Sequence, residues 1–420
     1  MSAPERSPAI PGGPERSPAV PGGPERSPAV PGGPERSPAA PGGGESFPAA
    51  PGGGTEPASA PVTVRALVAR GAGAELRIER VRLPAPGPGE VRVTIRAAGV
   101  CHSDLSMVNG TIAARFPLAL GHEATGVVAE VGPGSQLTVG TPVVLNWAPA
   151  CRACWWCRRG EPWLCADTTA PTVPRGETDD GLPLNLTLGL GALAEAVVVP
   201  ERAVIPIPAG LPPEQAALLG CAVLTGVGAV RNTARVAPGE SVAVVGLGGV
   251  GLAVLSAARR AGATTILAID VAEAKRGLAL AAGATDFLLS DDRLSKEVRA
   301  RTEGRGVDHA FECVGRATTI RAAWRLTRRG GAVTVVGMGA KDDMVSLGAL
   351  DIFHSARTLR SSVYGSSDPE REVPVLAAEL ADGVLDLRVL VSGTVPLDEA
   401  PAAFERLARG EGARWVVTLD

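Results

Sequence analysis

The sequence predicts an α/β protein in which a β-rich region is followed by a doubly wound parallel sheet, with a disordered tail in front. Three patterns predict this fold. Residues 1–60 repeat a Pro/Gly-rich unit, residues 91–96 alternate apolar with polar side chains, and after about residue 222 apolar runs alternate with helical stretches. Strict alternation is typical of a strand with one exposed face, whereas alternating strands and helices are typical of βαβ units.

The composition is that of a globular protein with room for two domains, since 45% of the 420 residues are hydrophobic and 20% are charged. The formal net charge of −3 argues against a general nucleic-acid binder and against a polybasic membrane patch. Ser241–Ala258 is uncharged throughout, but its glycines divide it into a strand, a turn and a helix, so we expect no membrane span. No secretory signal is recognisable, which predicts a cytoplasmic protein.

The tail consists of residues 1–60. Its repeat, Pro-Glu-Arg-Ser-Pro-Ala-x-Pro-Gly-Gly, begins at Pro4, Pro14, Pro24 and Pro34. No unit has an apolar face to stack on its neighbour, so a solenoid is rejected and disorder is expected. The repeat is either a tether for a partner or a neutral extension, and the sequence does not separate these two interpretations.

The β-rich region starts at Pro61. Val91, Val93 and Ile95 alternate with polar residues and predict a strand with one wet face. Gly/Pro turns separate further short strands of an antiparallel region, predicted at Thr125–Val131, Val143–Trp147 and Glu195–Val199.

In the second region predicted strands alternate with predicted helices, which is typical of a parallel sheet covered by helices. Strands are predicted at Val242–Val245, Thr265–Ile269, Asp286–Leu289, Ala310–Cys313 and Ala332–Val336. Helices are predicted between them, for example at Ala272–Ala282 and Thr318–Thr327.

A glycine-rich turn follows the first of these strands and opens a helix, with the sequence Gly246-Leu247-Gly248-Gly249-Val250-Gly251. In such a turn the first glycine permits the tight bend, the second lets the backbone approach a pyrophosphate, and the last allows close packing of helix on strand. The free N–H groups at the helix N-terminus favour the bound anion. The motif therefore predicts a dinucleotide site.

Asp270 stands at the end of the second predicted strand, where it can bind both ribose hydroxyls of the dinucleotide. Its carboxylate would repel a 2′-phosphate, and the following Val271-Ala272 supplies no arginine to attract one. The sequence therefore predicts NAD over NADP. Lys275, one helical turn further on, could also reach the ribose.

Clustered cysteines indicate a structural metal site. The spacing Cys-x2-Cys-x2-Cys-x7-Cys brings together Cys151, Cys154, Cys157 and Cys165. Four thiolates satisfy tetrahedral Zn²⁺ with no open position, so this site is expected to hold a loop. Neighbouring arginines are expected to favour the thiolates, namely Arg152, Arg158 and Arg159. A pair of disulfides formed on oxidation is the alternative.

A second set of metal-ligating residues is dispersed along the chain. Cys101, His122 and Cys221 could offer S, N and S ligands to one Zn²⁺ and leave its fourth position open, as a catalytic zinc requires. Spacing alone does not show that three distant residues meet.

The order of these motifs resembles the zinc-dependent medium-chain alcohol dehydrogenase family, and the resemblance runs from about Val62 to Asp420. It implies a GroES-like catalytic domain at residues 61–222, to which residues 364–420 return, and a Rossmann NAD-binding domain at residues 223–363. It also implies two zinc ions per chain, one catalytic on Cys101, His122 and Cys221 and one structural on the cysteine cluster.

The resemblance assigns further roles. Glu123 would be an occasional extra ligand of the catalytic zinc, Asp104 would orient His122, and Trp147 would line the substrate pocket. Arg414 would clamp the pyrophosphate bidentately. The remaining residues implied to contact or flank the coenzyme are His102, Thr225, Cys313, Val314, Val336, Gly337 and Met338.

The implied chemistry is reversible oxidation of an alcohol, with hydride delivered to NAD and Ser103 taking the alcohol proton. This sequence departs from the well-known animal enzymes at Ser106, where they carry a histidine that ends the proton relay.

The expected function is oxidation of primary or aromatic alcohols to aldehydes. Oxidation of a formaldehyde–thiol adduct, S-hydroxymethyl glutathione or its mycothiol counterpart, is the alternative. A non-catalytic NAD- or zinc-binding protein and a tail-driven interaction protein are less favoured. The resemblance implies small-molecule partners and a homodimer, with a tetramer as the alternative.

Overall fold

The computed structural model describes residues 60–167 and 173–419. The predicted disordered tail, apart from Ala60, lies outside the described residues.

Strands of the first region are β1 (Val62–Ala69), β2 (Leu76–Leu83), β3 (Glu90–Gly99), β4 (Leu118–Ala119), β5 (Ala124–Val131), β6 (Pro142–Leu145), β7 (Glu177–Thr178), β8 (Asn185–Leu186), β9 (Ala196–Pro200) and β10 (Val204–Pro206). Those that follow are β11 (Ser241–Val245), β12 (Thr265–Asp270), β13 (Asp286–Leu289), β14 (Val307–Glu312), β15 (Thr327–Val335), β16 (Thr358–Ser361), β17 (Val391–Pro396) and β18 (Arg414–Thr418).

The α-helices are α1 (His102–Val108), α2 (Trp155–Arg158), α3 (Pro213–Ala216), α4 (Ala222–Gly228), α5 (Gly249–Arg260), α6 (Arg276–Ala281), α7 (Leu294–Arg301), α8 (Ala317–Leu326), α9 (Ala349–Ser355), α10 (Pro369–Ala381) and α11 (Ala400–Ala408). A π-helical turn, Ala229–Ala234, extends α4. Short 3-10 turns fill several other connections, and one of them precedes α6.

The antiparallel region is built around β3. The side chains of Val91, Val93 and Ile95 are fully buried, and the intervening residues are half-buried. β3 pairs antiparallel with β5 on one side and β9 on the other. One sheet of this region has the strand order β10-β6-β5-β3-β18-β17, and another has the order β7-β2-β1-β4-β8. The alternation at residues 91–96 thus forms the predicted strand.

The second region is a parallel sheet with the strand order β13-β12-β11-β14-β15-β16. The strand that carries the glycine turn, β11, lies between β12 and β14, so the strand order reverses beside the turn. A crevice at such a reversal is where dinucleotides bind in doubly wound sheets. The α/β fold class, with its β-rich part and its parallel sheet, is confirmed.

The C-terminal segment returns to the β-rich region. β18 pairs antiparallel with β3, where Val416 lies opposite Gly99, and it pairs parallel with β17. The domain boundaries at 222/223 and 363/364 stay a prediction.

No single helix in the described part of the chain is long and apolar enough to cross a membrane. Pro213–Gly220 and Ala222–Ala234 meet that criterion only as a pair, with a bend of 55° between them. The uncharged stretch Ser241–Ala258 forms β11, the glycine turn and most of α5, as its glycines predict.

Candidate active site

Three dispersed residues converge in the β-rich region. Cys101 caps the N-terminus of α1, His122 precedes β5, and Cys221 precedes α4. Their ligand atoms all lie within 4.8 Å of one another, with His122 Nε2 3.5 Å from Cys221 Sγ. All three side chains are buried. Two sulfur atoms and one imidazole nitrogen at this separation fit a Zn²⁺ ion with one open position.

Asp104 fixes the orientation of the His122 ring. Asp104 Oδ2 lies 3.0 Å from His122 Nδ1, while Oδ1 accepts a hydrogen bond of 2.9 Å from the Gly121 N–H. Burial alone would lower the pKa of His122, but the charges of Asp104 and Cys101 outweigh it and hold that pKa well above its usual range. The second nitrogen, Nε2, is thereby left facing the cysteines, as the role predicted for Asp104 requires.

The pKa values of the two cysteines are shifted in opposite directions. The Cys221 thiol stabilises the Cys101 thiolate by hydrogen bonding, and Arg414 and His122 add favourable charge, so the pKa of Cys101 lies well below its usual range. The same contact, together with burial, raises the pKa of Cys221. A bound cation is what allows both thiols to ionise together.

Glu123 and Arg414 form an ion pair behind this site. Glu123 Oε1 accepts a 2.8 Å hydrogen bond from the Ala222 N–H, and Oε2 lies 3.1 Å from Arg414 Nε. Burial raises the pKa of Glu123 to about 7. At this site, the ligand atoms close enough to share a metal ion are those of the two cysteines and His122. The role of Glu123 as an extra ligand therefore stays a prediction.

Arg414 also contacts the glycine turn. Its Nη1 donates a 3.0 Å hydrogen bond to the Val100 carbonyl, and a Cβ built on Gly249 would lie 2.9 Å from its Nη2. The guanidinium therefore lies between the metal-ligating residues and the turn that opens α5. A bidentate clamp on a pyrophosphate stays a prediction, because Nε and Nη1 already face Glu123 and Val100.

The glycine turn has the geometry that its sequence predicts. Gly246 has a positive φ of +91°, and a Cβ on Gly251 would overlap the Gly246 carbonyl oxygen. Above Gly248, by contrast, a Cβ would meet no atom within 4 Å. This open space lies before the N-terminus of α5, in which Val250 is the second residue. A pyrophosphate fits there.

Asp270 is fixed at the end of β12. Its carboxylate accepts hydrogen bonds from the Leu247 N–H (2.9 Å) and the Ala272 N–H (3.0 Å), which places it against the glycine turn. The buried Lys275 directs its ammonium group to the Gly412 carbonyl, and burial lowers its pKa. Contact of Lys275 with a ribose therefore stays a prediction.

Loops after β14 and β15 meet at the edge of the sheet where the strands end. A Cβ on Gly337 would overlap the Gly315 backbone nitrogen, which shows how closely the loops pack. Glu312 holds the first loop, because its Oε1 accepts hydrogen bonds from the N–H groups of Val314 (2.9 Å) and Gly315 (2.8 Å). The other predicted loop residues lie here as well, with Cys313 and Val336 half-buried and Met338 exposed.

Other predicted residues lie near the converging ligands in the chain. His102 is exposed and Ser103 half-buried on the first turn of α1, and Thr225 is half-buried on α4, where its N–H bonds the Cys221 carbonyl. Trp147 is half-buried, and its ring centroid lies 4.4 Å from that of Tyr364. Sequence reasoning missed Tyr364, for which the available signal is that the chain has one tyrosine.

The cysteine cluster forms a second metal-ligating group, with all four sulfur atoms within 4.8 Å of one another. Backbone N–H groups of Cys157 and Ala166 lower the pKa of Cys154 to about 6. Burial and the neighbouring thiols raise the pKa of Cys157 to about 12. Four thiolates so close together require a cation, and the arrangement fits a closed zinc site.

The side chains of the neighbouring arginines contact other partners than the sulfur atoms. Arg152 pairs with Asp368 (2.6 Å) and Glu370 (2.8 Å) on the α10 side. Arg158 bonds the Ala153 carbonyl, and Arg159 lies over the Trp155 ring. Backbone N–H groups favour the Cys154 thiolate, and the expected contribution of the arginine side chains stays a prediction.

Two family models match the chain: an alcohol dehydrogenase GroES-like domain at residues 87–209 and a zinc-binding dehydrogenase at residues 249–381. The S-(hydroxymethyl)glutathione dehydrogenase of Escherichia coli O139:H28 is 35% identical over 365 residues, covering 84% of this chain and 99% of that relative. The chain belongs to the zinc-dependent medium-chain alcohol dehydrogenase family.

Solved structures agree with this family. An alcohol dehydrogenase zinc-binding domain protein from Burkholderia ambifaria has a TM-score of 0.81 and 32% identity, covering 86% of this chain and 100% of that one. A benzyl alcohol dehydrogenase from Acinetobacter calcoaceticus has a TM-score of 0.79 and 26% identity, with the same coverages. The protein is an NAD-dependent, zinc-containing oxidoreductase, as its motifs predict.

Proposed function

We propose that the protein oxidises primary or aromatic alcohols reversibly to aldehydes, with hydride passing to NAD. The observation that carries this proposal is the convergence of Cys101, His122 and Cys221 within 4.8 Å. The aromatic preference is supported by the likeness to the Acinetobacter calcoaceticus enzyme, which is named for benzyl alcohol.

Zinc on these three donors supplies Lewis acidity that lowers the pKa of an alcohol hydroxyl. Ser103, two positions after Cys101 and half-buried on α1, relays that proton: its hydroxyl oxygen accepts the proton of the alcohol while its own O–H proton passes to solvent. Asp104 keeps the His122 ring in place. Gly248 and the N-terminus of α5 bind the pyrophosphate, which positions the coenzyme for hydride transfer.

We expect Ser103→Ala to reduce kcat by about 100-fold, because general acid–base groups commonly contribute that much. Ser106→Ala is the matched control on the same helix, and we expect it to change kcat less than about threefold. The measurement is the pH–rate profile of NADH formation for both variants. Equal, small effects of the two substitutions would remove Ser103 from the mechanism.

A second candidate function is oxidation of a formaldehyde–thiol adduct. The relative at 35% identity, matched over 99% of its length, is named S-(hydroxymethyl)glutathione dehydrogenase. NADH formation with formaldehyde plus glutathione or mycothiol, compared with benzyl alcohol, decides between the two. Metal analysis should give about two zinc ions per chain, since the structure offers two ligand sets.

The proposal includes NAD over NADP, because the Asp270 carboxylate at the glycine turn would repel a 2′-phosphate. It also keeps the predicted division into residues 61–222 with 364–420 and residues 223–363. This division is supported by the pairing of β18 with β3 and by the separate parallel sheet β11–β16.

A homodimer and a cytoplasmic location complete the proposal. Large apolar side chains are exposed on and beside α9 and β16, and β16 is an edge strand. Exposed apolar surface next to an unpaired strand edge is typical of a protein–protein interface. All seven cysteines lie in the described residues and none is joined in a disulfide, which is typical of a reducing compartment.

A further inference from the structure

Tyr364 connects the candidate zinc site to the wall of the candidate substrate pocket. It is the one tyrosine of the chain, and its side chain is buried. Its hydroxyl donates a 2.5 Å hydrogen bond to the carbonyl of Gly220, the residue before Cys221. Its ring lies against Trp147 at a centroid distance of 4.4 Å and an angle of 40°. One side chain therefore contacts both functional segments.

The backbone at Tyr364 is held in a conformation that bulky residues rarely adopt. Tyr364, Gly365 and Ser366 have consecutive positive φ values of 50°, 72° and 49°. Such backbone persists only where surrounding contacts determine it. Thr233 supplies such contacts, because its Oγ1 lies 2.8 Å from the Oγ of Ser366 and 2.8 Å from the Oγ of Ser362.

The carbonyl that Tyr364 binds belongs to a restricted segment. Gly220 is buried, and a Cβ there would lie 2.5 Å from the Leu145 carbonyl oxygen. Cys221 follows with φ −143° and ψ −81°, outside helical geometry, and α4 begins after it. The peptide that precedes the Cys221 thiol thus packs against β6 and accepts a hydrogen bond from the Tyr364 hydroxyl.

We propose that Tyr364 is a positioning residue. It fixes the position of the Cys221 thiol through the Gly220 carbonyl, and it fixes the position of the Trp147 ring through ring packing. This inference rests on the proposed function, because it takes Cys221 as a ligand of the catalytic zinc. Tyr364 follows β16 of the coenzyme-binding sheet and precedes α10, so the chain itself joins that sheet to both features.

Two substitutions separate the hydroxyl from the ring. Tyr364→Phe removes the hydrogen bond and keeps the ring, whereas Tyr364→Leu also removes the packing on Trp147. Trp324→Phe is the matched control, because Trp324 is also buried and also donates a hydrogen bond, at 2.6 Å to Asp351, but packs in a different apolar cluster.

The measurements are the release rates of the two metals to a chelator, the visible spectrum with Co²⁺ at the catalytic site, and kcat and KM for benzyl alcohol. We expect Tyr364→Phe to release the catalytic metal about 10-fold faster, to shift the thiolate–Co²⁺ absorption and to lower kcat about 10-fold. Release from the cysteine cluster and KM should change less than about twofold. Tyr364→Leu should also raise KM about 10-fold, because Trp147 loses its support.

An unchanged spectrum and release rate in folded Tyr364→Phe would overturn the proposal. Equal acceleration of both metals, or effects matched by Trp324→Phe, would show a structural role and would also overturn it. Should the wild type oxidise no alcohol, faster release of the catalytic metal from Tyr364→Phe would still support the positioning role, although the proposed function would have failed.

Discussion

Two glycines of the coenzyme turn show how differently single positions are constrained. Gly251 lies where a Cβ would overlap the Gly246 carbonyl oxygen, so the residue there is dictated by packing within the protein. Gly248 has open space above it and no positive φ, so the protein alone would accept alanine there. The need for glycine at position 248 therefore comes from the ligand.

We expect Gly251→Ala to reduce the free energy of unfolding by about 1–3 kcal/mol, because overpacking displaces the helix from the strand. Gly248→Ala should change that free energy by less than about 0.5 kcal/mol but weaken NADH binding at least tenfold, or about 1.4 kcal/mol. Thermal unfolding and NADH fluorescence titration measure the two effects. Unimpaired NADH binding by Gly248→Ala would contradict the pyrophosphate assignment.

Coenzyme choice also depends on one residue. We expect Asp270→Asn to raise kcat/KM for NADP relative to NAD by about 10-fold, because the charge facing the 2′-position is removed while a hydrogen-bond acceptor remains. The measurement is initial rates with both coenzymes. Asp286→Asn, at the start of β13, is the control and should leave the ratio unchanged. A ratio that is the same in all three proteins would show that Asp270 does not face the ribose.

At the scale of elements, a polar cluster joins the beginnings of β11, β14 and β15. Asp308 Oδ2 accepts hydrogen bonds from the Ser241 N–H (2.8 Å) and hydroxyl (2.6 Å), and Oδ1 accepts one of 2.5 Å from Arg328 Nε. Burial alone would raise the pKa of Asp308, but these donors outweigh it and lower that pKa to about 2. The carboxylate therefore connects β14 to β11 and β15 at the end of the sheet opposite the glycine turn.

This cluster makes stability depend on pH. The pKa of Asp308 in the folded state lies below its unfolded value of about 3.9, so the stabilisation is present above about pH 4 and is lost as pH falls towards 2. We expect Asp308→Asn to reduce the free energy of unfolding by about 1–2 kcal/mol at pH 7 and by progressively less below pH 4. Denaturant unfolding across this range tests it, with exposed Asp342→Asn as the control. If the difference in unfolding free energy between this variant and the wild type did not change with pH, the ionised Asp308 carboxylate would not be the source of the stabilisation.

The elements differ in how far local sequence predicts them. β3 and the strands β11–β14 were predictable because each has its own alternation or apolar run between turns. β16 was not, since Thr-Leu-Arg-Ser has neither pattern and becomes a strand only by pairing with β15. The two-residue strand β4 likewise exists through its pairing with β1.

At the scale of the whole molecule, the sites combine residues that are far apart in sequence. The glycine turn and the cysteine cluster are local motifs, and spacing alone predicted them. The set of Cys101, His122 and Cys221 needed a family resemblance, because spacing carries no information on distant contacts. The ion pair of Glu123 with Arg414 and the position of Tyr364 were not predicted, since each depends on a pairing across more than 100 residues.

Assembly is tested at the same scale. Phe353 on α9 and Leu359 on β16 are exposed in the single chain. We expect Phe353→Glu to shift the protein from dimer to monomer, because a buried unpaired charge opposes association. Analytical ultracentrifugation measures the change, and Val139→Glu, at another exposed apolar position, is the control. A wild-type protein that sediments as a monomer would refute the dimer.

The strand β18 has a consequence for how the chain reaches its native state. It lies between β3 and β17, and the hydrogen bond from Arg414 to Val100 spans 314 positions. The β-rich region therefore cannot close its own sheet until the whole coenzyme-binding region has been synthesised. During translation the Ala97–Gly99 end of β3, with which β18 pairs, stays open on that side to any other extended segment, which exposes newly made chains to mispairing there.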